Sequence, residues 1–359
     1  VRFIMFPNML RDHFLLARTF LLSCLTLFLL LVGTASAQTA ANSQAADDIP
    51  RLASGRPDLQ GIWSNATQTP LQRPAAFGER LVISEEEAQA ARQRALEALE
   101  RSNAPSDPDR PPPQDRNTAA AYNSFWLDRG IEVAHINGEY RSSLIVDPAD
   151  GQIPYRDDRP PTMMEAWRGD NPDEFAGPEQ ATIGERCLLF YDFRTSNSSA
   201  GPPMMPMIYN NLYRIVQTDD HLMILAEMIN DARIIRIDGN HQPEAIHRWM
   251  GDSIAHWRGD TLVITTRNLH PQQSHFGSSA ALVVTEELTP QSSTQINYRF
   301  TMHDPAAYTQ PWSAEMPLLA RPDERIFEYA CHEGNYALPG ILAGARVLES
   351  RAAGQAERP

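Results

Sequence analysis

Beyond about Cys187 the chain breaks into short apolar runs of alternating pattern, separated by turn-forming residues. Ile296, Tyr298 and Phe300 fall on one side of a two-residue period, and Asn297, Arg299 and Thr301 fall on the other. That alternation marks a half-buried strand. The same texture predicts strands over Leu212–Gln217, Leu222–Ile229, Arg233–Ile237, Ile246–Trp249, Ser253–Trp257 and Thr261–Thr266. Ala281–Leu288, Thr294–Met302, Ser313–Leu319 and Ile326–Cys331 complete the series. Asp238-Gly239-Asn240 and Arg258-Gly259-Asp260 supply turns between them. Successive strands without intervening helices predict an antiparallel meander. Such a meander removes its unpaired edges best by closing into a barrel. A β-sandwich is the alternative.

The pattern before residue 185 is different. Pro57-Asp58-Leu59-Gln60-Gly61-Ile62-Trp63 reads as a turn and a short strand. Ser84 with Glu87 three residues on predicts a capping box at the start of a helix running to Arg101. Its main apolar points are Leu96 and Leu99, so it is expected to rest on a surface. Residues 104–116 are dense in Pro and charge, an extended connector. Ser142–Asp147 reads as a strand, followed by an Asp150-Gly151 turn. The expected organisation is a signal segment at 1–37, a tail at 38–55, a wrapping region with one helix and long Pro-rich arms at 56–184, a barrel at 185–349 and a tail at 350–359. Met204-Met205-Pro206-Met207 is either an exposed loop or an apolar flap over a pocket.

Arg2, Arg11 and Arg18 precede an apolar run from Phe20 to Val32, and Ala35-Ser36-Ala37 follows as a small-x-small site. This is the three-part pattern of a cleaved secretory signal. The run is shorter than the roughly 20 residues a membrane span needs. The expected location is therefore the periplasm or the exterior, with no stable membrane insertion after cleavage. Export changes the reading of the cysteines. Cys24 leaves with the signal, and Cys187 and Cys331 remain as an even pair in an oxidising compartment. A disulfide between them is expected, with two buried thiols as the alternative.

All 31 basic residues are Arg. A chain without lysine has no Schiff-base, pyridoxal-phosphate or P-loop lysine. The net charge of −14 argues against binding nucleic acid through its phosphates. No GxGxxG, P-loop, CxxC, HExxH or GxSxG pattern occurs. The usual signatures of nicotinamide, flavin, ATP, zincin and α/β-hydrolase chemistry are thus missing, and no cofactor is expected. Ten His residues show no ligand spacing, so no metal site is expected either.

Two stretches can carry chemistry. If the strand from His221 runs on without a bulge, His221, Glu227, Asp231 and Arg233 share one pleat face. A carboxylate on so apolar a strand needs a partner, and Arg233 is the nearest. Glu227 is then either a base or acid of raised pKa or half of a structural pair. The second stretch is Tyr329-Ala330-Cys331-His332-Glu333-Gly334-Asn335, where a strand end would deliver His332 and Glu333 to a barrel mouth. Their plainer role is to hydrogen-bond the backbone around Cys331. Trp257 and Trp312, next to turns, are candidates to line the mouth.

These residues suggest cofactor-independent lyase, isomerase or hydratase chemistry on a small apolar or aromatic molecule held in the barrel. Glu227, Arg233 and His332 would be catalytic. Asp231, Trp257, Trp312 and Glu333 would bind substrate. A non-catalytic binding or carrier protein is the alternative, and a filled barrel serving as an envelope scaffold is a third reading.

Several blocks occur together: Pro57-Asp58-Leu59-Gln60-Gly61-Ile62-Trp63, Gly184-Glu185-Arg186-Cys187-Leu188, Glu227-Met228 with Asp231-Ala232-Arg233-Ile234-Ile235, Trp257-Arg258-Gly259-Asp260-Thr261-Leu262-Val263 and Glu328-Tyr329-Ala330-Cys331-His332-Glu333-Gly334-Asn335. In combination they resemble a family of exported bacterial proteins of unassigned activity, over about residues 55–349. The resemblance implies a lipocalin-like C-terminal region and carries no catalytic residues with it.

Overall fold

The computed structural model describes residues 49–105, 109, 127–161, 175, 177–189 and 201–356. The expected signal segment, most of the 38–55 tail, most of the Pro-rich connector and the last three residues lie outside the described residues.

Thirteen strands are present among the described residues. Five are short: β1 (Gly61–Ser64), β2 (Val82–Ile83), β3 (His135–Ile136), β4 (Glu139–Arg141) and β5 (Ile145–Asp147). The rest are β6 (Leu212–Gln217), β7 (His221–Ala226), β8 (Ala232–Ile237), β9 (Asp252–Arg258), β10 (Thr261–Arg267), β11 (Val283–Pro290), β12 (Gln295–His303) and β13 (Trp312–Ala320). Strands β6 to β13 pair in chain order, and β1 bonds to both β6 and β13, closing a nine-stranded barrel. A barrel of this size has an interior that side chains can fill. Here inward positions alternate with outward ones as the sequence pattern predicts: Ile296, Tyr298, Phe300 and Met302 of β12 are all buried.

The barrel departs from the expected one in three ways. It does not lie wholly within 185–349, because the closing strand β1 comes from the Pro57–Trp63 block. It is not wholly antiparallel, because β8 and β9 run parallel. Parallel neighbours need a long crossover, and residues 238–251 provide it. That is why Ile246–Trp249 forms no strand: the chain is returning along the outside, with Ile246 exposed and Arg248 making one isolated bridge to Leu269. Asp252 pins the crossover, accepting bonds from Arg236, His241 and the Gln242 backbone N–H at 2.8–2.9 Å. Thirdly, Ile326–Cys331 is irregular, and the chain then enters a helix, α2 (Ala337–Ala356), that runs into the expected 350–359 tail.

Around the barrel, β5 covers the first part of β13 while β1 covers its end. Strands β2, β4 and β3 form a small separate sheet. Helix α1 (Glu85–Asn103) starts at the expected box: Ser84 Oγ accepts from Glu87 N, and Glu87 accepts from Ser84 N at 2.8 Å. Only Ala88 of this helix is buried, in line with a surface helix.

Strand directions define two ends. At one rim β1, β7, β10 and β12 finish while β6, β8, β9, β11 and β13 begin. Long loops gather there, including 268–282 and 304–311. We call this rim the loop-covered end. The opposite rim is made mainly of tight hairpins such as Gly259-Asp260, where Gly259 has the left-handed φ of 62° that such a turn uses.

Candidate functional site

Two charged residues sit on otherwise apolar inward faces. Arg233 follows the parity of Ile235 and Ile237, and Glu286 lies between Val284 and Leu288. Across the barrel they form a bidentate ion pair: Nη1 meets Oε2, and Nη2 donates to Oε1 at 2.9 Å. Tyr298 Oη donates to Glu286 Oε1 at 2.7 Å and accepts from Met204 N at 3.0 Å. Burial alone pulls the Arg233 pKa down, but the Glu286 carboxylate outweighs it and leaves it above its ordinary value. Burial and Glu286 together push the Tyr298 phenol far up, so it remains a donor at any ordinary pH. Tyr213, on the neighbouring wall, is pushed up by the same burial.

Asn65 follows the last residue of β1 and is fully buried beside Tyr213. It is close enough to moderate the rise of the phenol's pKa. Yet among the described residues neither its Oδ1 nor its Nδ2 completes a hydrogen bond. Such a group costs about 1–3 kcal/mol when left dry.

A second group lies at the same end. Tyr308 Oη donates to the carbonyls of His275 and Phe276 at 3.0 Å. Gln273 Nε2 lies 2.8 Å from His275 Nε2. Burial lowers the His275 pKa to about 3, so the ring is neutral and accepts this bond. Trp312 packs edge-on against Phe276, Phe300 and Tyr308. Gln273 Oε1 completes no hydrogen bond among the described residues, and Trp312 Nε1 lies beside the Tyr308 hydroxyl, moderating the rise of its pKa, without completing a well-formed bond. Phe300 also touches Tyr298, linking the two groups through one aromatic wall.

The segment Gly201–Met205 is buried throughout and closes this end, its Met204 N–H held by Tyr298. Met204-Met205 is therefore not an exposed loop; it lies closed over the barrel end as a plug.

The residues singled out from the sequence are spread more widely than expected. Strand β7 ends at Ala226, and a tight turn follows in which Ile229 has φ 68°. A β-branched residue rarely takes that conformation, and the turn breaks the shared parity of Glu227 and Arg233. Arg233 turns inward to Glu286, so the expected Glu227–Arg233 pair does not form. Glu227 stays half-buried at the rim, where its carboxylate accepts from Leu212 N at 3.4 Å. Burial raises its pKa, and Asp128 and Glu324 add to the rise. Asp231 caps the start of β8 by accepting from Ala232 N at 2.8 Å, and burial raises its pKa as well. His221 is exposed beside Asp220.

Trp312 is in the core of the loop-covered end, not at its lip. Trp257 lies at the opposite end, half-buried under the Arg56 guanidinium. His332 and Glu333 are exposed and belong to no strand, because the segment before them is held by Asn230 side-chain bonds to the backbone of Phe327 and Tyr329. The disulfide between Cys187 and Cys331 is present. The sequence pattern does not point to Glu286, Asn65, Gln273 or His275 and reads Tyr298 only as part of an apolar face, although a Glu on the apolar parity of β11 is a readable signal. Comparison with protein-family models, curated proteins and solved structures gave no match.

Proposed function

We propose that the chain is an exported protein that binds a small, mainly apolar or aromatic molecule at the loop-covered end of its barrel. Three buried side chains at that end carry this reading. Gln273 presents an amide oxygen with no partner among the described residues, and Asn65 and Trp312 reach the phenols of Tyr213 and Tyr308 without completing a well-formed bond, beside the paired Arg233–Glu286–Tyr298 group and among aromatic and aliphatic side chains. A ligand with an apolar body and one or two polar atoms would satisfy them, and sites of that composition are the usual small-molecule sites. Entry requires Gly201–Met205 to move aside, which also frees Tyr298 to bond the ligand. The disulfide and the three-part pattern at 1–37 support export.

The test is titration with an apolar fluorophore, anilinonaphthalene sulfonate, at native pH. Saturable binding to the wild type that weakens at least tenfold in Asn65→Leu and Gln273→Leu supports the reading. Binding that is absent, or unchanged in both variants, counts against it.

Acid–base catalysis at the same rim is a second reading, favoured by the raised pKa of the half-buried Glu227. On that reading Glu227→Gln removes turnover and leaves fluorophore binding intact.

A further inference from the structure

The C-terminal arm meets the rest of the molecule through side-chain to backbone bonds, among them Arg346 Nη2 donating to Phe175 O at 2.7 Å. Asn230 holds the backbone at Phe327 and Tyr329, and Asn335 Nδ2 donates to Glu185 O at 3.1 Å. Phe327 and Tyr336 project into solvent, and Ala345 is the one buried residue among the described side chains of α2. The covalent link is Cys187–Cys331.

The two cysteines are differently placed. Cys187 sits in a compact loop that buries Ile183 and Leu189 in the barrel core and closes on itself through reciprocal Thr182 and Glu185 bonds. It is 7% exposed. Cys331 instead lines an open cleft of about 360 Å³ between the 184–185 turn and the first turn of α2. A thiol entering the cleft therefore meets Cys331 first.

The surroundings also decide which sulfur leaves. Asn335 Nδ2 lies 3.4 Å from Cys187 Sγ and donates to it. That bond stabilises a thiolate on Cys187. Glu185 and Glu333 also line the cleft, so a neutral or cationic thiol enters it more readily than an anionic one. The better leaving group in exchange is the sulfur whose thiolate is more stable.

We propose that Cys331 is a site of thiol–disulfide exchange with a dithiol reductant, and that the disulfide is a releasable latch on the C-terminal arm. A thiolate of the reductant attacks Cys331 Sγ. The new S–S bond forms as the bond to Cys187 breaks, and the electron pair leaves on Cys187 as a thiolate held by Asn335. The second thiol of the reductant then attacks the mixed disulfide and expels Cys331 as a thiolate. The protein gains two electrons and two protons, and the dithiol becomes a disulfide. The arm from 331 onward is then held only by non-covalent contacts, while the 182–189 loop stays in the core. This inference does not depend on a ligand at the barrel mouth.

The experiment uses the full oxidised chain under native conditions. Cysteamine is added in excess, the reaction is stopped with iodoacetamide, and peptides are mapped by mass spectrometry. Cysteamine is expected on Cys331 and the alkyl group on Cys187, and the reaction is expected to run faster than with the anionic thiol glutathione. Hydrogen exchange after reduction with dithiothreitol is expected to rise at least tenfold over 331–345 and to stay unchanged over 183–189 and the barrel strands. Three results each overturn the proposal: cysteamine on Cys187, a disulfide that resists reduction until the barrel unfolds, or an arm whose exchange does not change on reduction.

Discussion

Arg233 and Glu286 come from strands on different sides of the barrel and meet in a bidentate pair with almost no exposure to water. Each is the charged member of an otherwise apolar inward face. Taking two ions out of water costs several kcal/mol apiece, and only close mutual pairing with further hydrogen bonds offsets that cost. Tyr298 supplies the further bond to Glu286.

Removing one partner should therefore hurt more than removing both. Arg233→Met leaves Glu286 alone in the core and is expected to cost about 3–5 kcal/mol. Arg233→Met combined with Glu286→Leu is expected to recover most of that loss. Urea unfolding of the wild type and the two variants measures the difference, and a double variant no more stable than Arg233→Met contradicts the account.

His275 sets a dependence on acid. Its pKa is about 3 in the folded protein against 6.5 for the free side chain. Between those values the unfolded chain binds a proton that the folded chain refuses. Stability is thus complete above about pH 6.5 and falls as the pH drops towards 3, by roughly 1.4 kcal/mol per unit at most. His275→Gln lacks this slope. Its stability gap to the wild type should narrow between pH 7 and pH 4 in urea titrations; a constant gap would show that the imidazole does not titrate this way.

Glu227 has the opposite sign. Its raised pKa means that folding disfavours the ionised carboxylate, so the charge destabilises the native state at neutral pH. The group is only half-buried and solvent screens it, which limits the effect to a few tenths of a kcal/mol. Glu227→Gln should be neutral to slightly stabilising at pH 7, and the gain should vanish at pH 4. A clear loss of melting temperature would assign the carboxylate to the Leu212 N–H as a structural cap.

Ser84→Ala removes the capping box of α1 and is expected to cost about 1 kcal/mol locally. Because α1 buries only Ala88, the loss should stay in the helix. Hydrogen exchange over 85–103 should rise while the barrel's melting temperature holds. A matching fall in melting temperature would mean that the helix carries barrel stability.

How much of this was legible in the sequence follows from what periodicity can encode. Alternation placed β6 and β10 to β13 closely, because each has one dry face. Parity also held the clue to the central pair, since Arg233 and Glu286 interrupt apolar faces at a two-residue period. It could not say that the two meet, because register between β8 and β11 depends on the parallel crossover at 238–251. Nor could it show the turn at Ile229, whose left-handed backbone carries no sequence mark in a β-branched residue and which separates Glu227 from Arg233. The plug was hidden for another reason. Gly201-Pro202-Pro203 reads as loop, and loops usually lie outside the core. Here a loop without regular structure is buried.

The central claim is that the loop-covered end holds a small molecule against Asn65. Native mass spectrometry of the oxidised full chain, purified without denaturant, tests it most directly. The account expects a small-molecule mass excess on the wild type that is lost in Asn65→Leu. A bare wild type, with Asn65→Leu more stable by about 1–3 kcal/mol and still folded as a barrel, would contradict it: the barrel would then be a filled scaffold in which the Asn65 amide is only a cost.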